Sequence, residues 1–206
     1  MEGVERALPR QKDRQKHFKA LPYSELPLVF GQIADADGMG ARALMFAILT
    51  ATRSGEVRKA RWVELDLNSH VWTIPAHRMK ANLEHRVPLS DPTIALLKAL
   101  PRLQDEELVF PSARPGRPLS DMTLAATLKR LKVAAVPHGF RSTFRDWVSE
   151  TTETPHAVAE MALAHSIPNR VEAAYRRGDL FEKRRVLMSL WADFASSAVC
   201  HRNSST

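Results

Sequence analysis

The hydrophobic period of this chain changes twice, and no other feature constrains its fold as much. Between residues 41 and 50 the apolar side chains Leu44, Met45, Ala47, Ile48 and Leu49 fall at helical spacing. Trp62, Val63 and Leu65 then begin a period-two pattern, which continues past the turn residues Asn68 and Ser69 into Val71, Trp72 and Ile74 and, after a polar gap, Val87 and Leu89. That stretch predicts three short antiparallel strands. Helical spacing returns after Ser90-Asp91-Pro92, where a cap and an early proline precede Ile94, Leu96, Leu97 and Leu100. One small sheet bracketed by helices on both sides makes an α+β fold that is mainly helical.

Further helices are expected over residues 24–36, with Ser24 as a cap, and 120–132, opened by Ser120 or Asp121. Others are expected over 140–151, 155–163 and 180–195, and a proline-rich connection covers 108–117. Residues 1–22 crowd Arg10, Lys12, Arg14, Lys16 and Lys19 ahead of Leu21-Pro22 without apolar periodicity, and read as a basic linker or arm. Residues 23–197 then form the domain, and 198–206 a flexible tail whose last six residues fray.

Composition narrows the partner class. The chain has 206 residues and a net charge of +7, which favours an acidic partner such as nucleic acid. Cys200 is the single cysteine, so neither an internal disulfide framework nor a cysteine-ligated metal site is available. The start of the chain lacks the apolar core of a secretory signal, and no apolar run approaches the ~18 residues of a membrane span. These features predict a cytoplasmic protein.

The chemistry concentrates in the last third, in His138-Gly139-Phe140-Arg141, His165 and Tyr175, with Arg53 upstream. Attack on a phosphodiester builds charge on the non-bridging oxygens, and arginine supplies planar pairs of donors for it. Arg53 and Arg141 are the candidates, with His165 as an extra donor. Preorganised donors of this kind are each worth about 3 to 4 kcal/mol. Tyr175 is the candidate nucleophile, and His138 can take its phenolic proton, since imidazole titrates near neutral pH. Lys80, on the loop between the second and third strands, can protonate the leaving 5′-oxygen, with Arg78 as a competitor. Glu56 either orients an arginine or histidine or stabilises a helix N-terminus. Taken singly, each residue also has an ordinary reading: surface cation, salt bridge, capping imidazole, partly buried aromatic or solvated loop lysine.

The combination resembles the catalytic domain of the tyrosine recombinases, and within them the phage and prophage integrases. The matching pieces are Thr50-Ala-Thr-Arg53-Ser-Gly-Glu56-Val, Lys80 with His85-Arg86-Val87-Pro88-Leu89-Ser90, His138-Gly-Phe-Arg141-Ser-Thr-Phe-Arg145, Leu163-Ala-His165 and Ala173-Ala-Tyr175-Arg176-Arg177. Their order and spacing agree over residues 22–195. The resemblance implies that Arg53, Arg141, His138 and His165 bind or activate the phosphate, Lys80 is the general acid and Tyr175 is the nucleophile. It also implies a 3′-phosphotyrosyl intermediate, no metal or other cofactor, duplex DNA carrying attachment sites as partner, and a tetramer in the synaptic complex. Two departures stand out. Where the family has a glycine before its first arginine, this chain has Thr52. The core-binding domain that precedes the catalytic domain in family integrases is absent, so the chain reads as a catalytic fragment that holds DNA weakly and salt-sensitively. The rival readings are a topoisomerase of the same chemistry, a DNA-binding or regulatory module without cleavage, and a metal-dependent hydrolase built on His138 and His165.

Overall fold

The computed structural model describes residues 19–102, 104, 106–114, 116–165 and 178–203, with side chains through Val199. A 3-10 turn at Tyr23–Glu25 leads into α1 (Leu26–Ala34), followed by α2 (Met39–Thr50) and the short α3 (Ser54–Arg58). The sheet is β1 (Leu65–Asp66), β2 (Val71–Ile74) and β3 (His85–Pro88) in sequential order. Both pairs are antiparallel, with Leu65 opposite Trp72 and Ile74 opposite His85. Then come α4 (Asp91–Lys98), α5 (Thr123–Arg130), α6 (Gly139–Thr151), α7 (His156–Ala162) and α8 (Phe181–Asn203). The α+β class and the three strands read from the sequence are both present.

α2 is the central element because it is apolar on all sides, and such a helix must be surrounded. Its Phe46 packs against Trp72 of the sheet at 5.1 Å and against Phe110 at 5.3 Å. On the α8 side, fully buried Trp191 donates its indole N–H to the carbonyl of Ile48 at 2.7 Å. Trp191 is also met edge-on by Phe144 of α6, with ring centres 5.2 Å apart, and Trp147 stacks on Phe194 at 5.5 Å. Truncating one such aromatic to alanine costs about 3–5 kcal/mol. The C-terminal end of α2 and the start of α6 are therefore fixed by core packing, and the candidate site is built on those two ends.

Three expectations need correction. Trp62–Glu64 forms a 3-10 turn, not the start of a strand, so β1 has only two residues. The cause is Glu64, which turns inward to accept the indole N–H of Trp72 at 3.0 Å and to pair with Arg78, leaving Val63 in solvent. α8 runs through Asn203, well past Ala195, because Ser196 and Ser197 bond their hydroxyls to the helix carbonyls of Ala192 and Phe194 instead of capping. Residues 198–203 are thus helical, and the expected tail boundary falls inside α8.

The assigned linker also ends early. Leu21 is buried, and its carbonyl accepts the hydroxyl of Thr143 at 2.6 Å. The carbonyl of Lys19 accepts the Val136 N–H at 3.2 Å. This strap crosses the start of α6 so closely that a Cβ on Gly139 would stand 2.3 Å from the Lys19 carbonyl oxygen, so only glycine fits there. Among the described residues no helix is long and apolar enough to cross a membrane.

Candidate active site

α2 ends at Ala51, a buried non-glycine residue in the left-handed region at φ 51°. The reversal is supported by threonine hydroxyls: Thr50 Oγ1 lies 2.6 Å from the Phe46 carbonyl and 2.7 Å from Thr52 Oγ1. Arg53 follows as the N-cap of α3. Glu56, three residues on and buried, settles both uses open to it. One carboxylate oxygen accepts the Arg53 backbone N–H at 2.9 Å, and the other pairs with the Arg53 guanidinium at 2.9 Å.

His138 is the N-cap of α6 and Arg141 lies one turn in, its backbone N–H reaching the His138 carbonyl at 3.2 Å. Arg141 is 5 % exposed. Its Nη1 donates to the Ala51 carbonyl at 2.5 Å, and its Nη2 to the Leu163 carbonyl at 2.6 Å. Nη2 also faces His165 Nε2 at 3.0 Å, while Nε–H has no partner among the described residues. Burial and the neighbouring Arg53 push its pKa down to about 10, against the pull of Glu56 and Glu160. At neutral pH the guanidinium stays charged.

α7 closes the site from the opposite side. Its C-terminal carbonyls carry partial negative charge, and they receive cationic or donor groups in succession. Arg141 bonds to the carbonyl of Leu163 and Arg53 to that of Ala164 at 3.4 Å. Ala164, like Ala51, is left-handed, at φ 49°. Two helix ends, each reversed at an alanine, thus aim backbone oxygens at the two arginines.

Guanidinium can only donate, so His165 Nε2 accepts from Arg141 and the ring proton sits on Nδ1, which lies 2.8 Å from Glu160 Oε2. Burial lowers the His165 pKa first; the Glu160 hydrogen bond opposes it, and Arg141 and Arg53 add to the lowering. His138 is also held below its ordinary value, by partial burial and then by Arg141, Arg53 and His165. Both rings are neutral at pH 7.

The loop between β2 and β3 leaves Lys80 exposed. Its next residues, Ala81, Leu83 and Glu84, wall a pocket of about 220 Å³ together with His165, Ala164 and Arg184. Arg78, the competitor for the proton-donor role, is tied down by Glu64 and by the Glu56 carbonyl at 2.6 Å, so it has no freedom to reach a substrate.

The sequence model of the phage integrase family matches residues 32–180. This chain belongs to the phage integrase family. It is 38% identical over 194 residues to prophage integrase IntA of Escherichia coli (strain K12), covering 91% of this chain and 47% of that protein. To the integrase of Enterobacteria phage P4 it is 33% identical over 202 residues, covering 88% and 46%. It therefore spans about half the length of these relatives. Among solved structures, a lambda integrase tetramer bound to a Holliday junction superposes with TM-score 0.57 at 16% identity, covering 76% of this chain and 49% of that one. At that identity the likeness is one of fold.

Within this integrase domain, Arg53, Glu56, His138, Arg141 and His165 come together from three separate stretches of sequence. Lys80 is exposed on the loop whose next residues wall the pocket at His165, and Tyr175 lies outside the described residues. The left-handed residue before the first arginine is Ala51, not Thr52, so Ala51 is the position a glycine would relax. Reasoning from sequence assigned no role to Glu160, which holds His165, or to His85, whose pKa is lowered to about 4 by burial, Arg184, Arg53 and Arg141. For His85 a signal existed, in the motif that follows Lys80. Glu160, five residues before His165, gave none until the end of α7 was seen.

Proposed function

We propose that this chain is the catalytic portion of a tyrosine site-specific recombinase that integrates or excises phage or prophage DNA. The observation that carries the reading is the convergence of Arg53, Arg141 and His165 at the carbonyl-lined end of α7, with His138 within electrostatic reach of all three, in a chain of the phage integrase family.

The arginines take the non-bridging oxygens of the scissile phosphate; of the five N–H bonds of Arg141, Nε–H and one on Nη1 have no partner among the described residues and serve for this. The Tyr175 oxygen attacks phosphorus and its proton passes to neutral His138. The bond to the 5′-oxygen breaks as Lys80 protonates it, leaving a 3′-phosphotyrosyl link. Religation runs the same steps backwards, so the bond energy is conserved without a nucleotide. His165 orients Arg141 as long as it is neutral, and becomes a donor to the phosphate only when protonated.

The partner is duplex DNA carrying an attachment site, bound in the cytoplasm through phosphate contacts that weaken steeply with salt. The synaptic assembly is a tetramer, as for lambda integrase on a Holliday junction. The test uses nicked suicide duplexes that tile the DNA flanking the gene. The chain is expected to form a denaturant-resistant covalent adduct on one of them, and Tyr175→Phe none. Equal adduct from both proteins rejects the nucleophile. Salt-sensitive binding with no adduct on any duplex favours a regulatory DNA-binding role instead, and relaxation of plasmid without site preference a topoisomerase.

A further inference from the structure

Arg145 closes the His138–Arg145 motif, yet the reaction above gives it nothing to do. It stands one helical turn beyond Arg141 on α6, and its Nε lies 3.0 Å from Glu160 Oε1. We propose that Glu160, steadied by Arg145, is a positioning residue that locks His165 in the Nδ1–H tautomer and so presents a lone pair on Nε2 to Arg141. The proposal deepens the reading of function and draws on it only for the activity measurement.

The backbone builds the pair. At the end of α7 the Ala164 N–H reaches back to the Met161 carbonyl at 3.1 Å, and the His165 N–H to the Glu160 carbonyl at 3.0 Å, with Ala164 left-handed between them. This double reversal brings the side chains at its two ends into contact, and that contact is ordinarily apolar. Here it is a carboxylate and an imidazole, 2.8 Å apart. The His165 ring is thus held at its backbone, at Nδ1 and at Nε2, which leaves it one orientation.

Only one protonation state satisfies both ring contacts. The Nε2–H tautomer sets N–H against the Arg141 N–H and a lone pair against the carboxylate, so both contacts turn repulsive. The imidazolium keeps Glu160 but loses Arg141. Among the described residues, the charges that act on the ring are Glu160 on α7, Arg141 on α6 and Arg53 at the start of α3, with the neutral His138 imidazole facing it as the other titratable group. Among the described residues, Glu160 Oε1 is buried and receives no aligned hydrogen bond, with Arg145 Nε and, at 3.6 Å, His156 Nε2 nearby. Arg145 also donates to His156 Nε2 at 3.1 Å. The order Arg141, His165, Glu160, Arg145 therefore alternates donor and acceptor, with an arginine at each end.

Nitrogen-15 NMR of the labelled chain without DNA reads the tautomer directly, with His165→Gln identifying the signals. The expected wild-type ring has a proton on Nδ1 and none on Nε2. In Glu160→Ala it shifts towards the Nε2–H form, whereas Glu160→Gln, whose carbonyl still accepts, keeps the wild-type form. Arg145→Met removes the counter-cation from Glu160 and is expected to move the His165 titration upward. On the suicide duplex, Glu160→Ala lowers the rate of adduct formation by about 10–100-fold, and Glu160→Gln restores most of it. A wild-type ring protonated on Nε2, or a Glu160→Ala variant that keeps its near-ultraviolet dichroism and an unchanged tautomer, overturns the proposal. If Glu160→Ala fails to fold, the Arg145→Met titration decides: no shift, or a downward one, overturns it. A wild-type chain that forms no adduct counts against the function proposed above and not against Glu160, whose role the tautomer settles.

Discussion

The two arginines and the lysine of the candidate site are built on opposite plans. Arg141 is 5 % exposed and bonded to two helix-end carbonyls and an imidazole, and Arg53 is held by Glu56 and the Ala164 carbonyl. Lys80, by contrast, is exposed on a loop. The difference follows from the tasks proposed for them. Donors that stabilise developing charge act best when already in place, since reorganisation is then avoided. A proton donor must reach an oxygen whose position changes as its bond breaks, and a long side chain on a loop has that reach.

The sharpest way to break this comparison is to remove one member of each group. Arg141→Ala is expected to lower adduct formation by about 10²–10³-fold and also to destabilise the fold by about 2 kcal/mol, because it leaves buried carbonyls without donors. Lys80→Ala is expected to lower the rate by about 10²-fold with unfolding unchanged within about 0.5 kcal/mol. Adduct kinetics beside urea unfolding check both. If Lys80→Ala unfolds as readily as Arg141→Ala, the contrast between fixed and free groups is lost. A duplex with sulfur in place of the leaving 5′-oxygen needs no proton donor and should rescue Lys80→Ala but not Arg141→Ala.

Next in size is a pH effect on the fixed half. The His85 pKa falls from 6.5 to about 4 on folding, so the unfolded chain takes up its proton first as the pH drops. The stability from a neutral His85 is complete above about pH 6.5 and is lost as the pH falls towards 4, by about 3 kcal/mol at most. Unfolding at pH 7 and 4.5 measures it, and His85→Asn should flatten the dependence. An unchanged slope in that variant would assign the acid sensitivity to other groups.

The smallest effect concerns the two alanine reversals. A left-handed alanine costs about 1–2 kcal/mol, and glycine loses back about 0.5–1 through its freer unfolded chain. Ala164→Gly should therefore stabilise by about 0.5–1 kcal/mol, visible as a higher Tm. A lower Tm would contradict the left-handed assignment.

Much of the site was legible because its members fall in short runs whose chemistry is in the side chains: Arg53 with Glu56, His138 with Arg141, and His165. The acceptors that hold the arginines were not legible, because the oxygens of Ala51, Leu163 and Ala164 belong to the backbone and become a site only when two helix ends meet. Glu160 was hidden for a related reason. The reversal that brings it to His165 is usually marked by glycine, and here the residue is Ala164. In the fold, the period-two signal placed β2 and β3 correctly and failed at Trp62–Glu64, where the conformation depends on an inward carboxylate paired with Arg78, fourteen residues later. The end of α8 was missed where Ser196 and Ser197 bond to their own helix, whereas α6, whose Thr151 does the same, ends where expected.

The strap at Lys19–Leu21 has a mechanical consequence. It is fastened to the start of α6 at two points, through the Lys19 carbonyl just before His138 and through the Leu21 carbonyl just after Arg141. It also rests on a glycine that leaves no clearance. A pull or twist on the chain ahead of Lys19 is therefore delivered to the segment that bears His138 and Arg141. The strap works as a lever arm with its fulcrum inside the site.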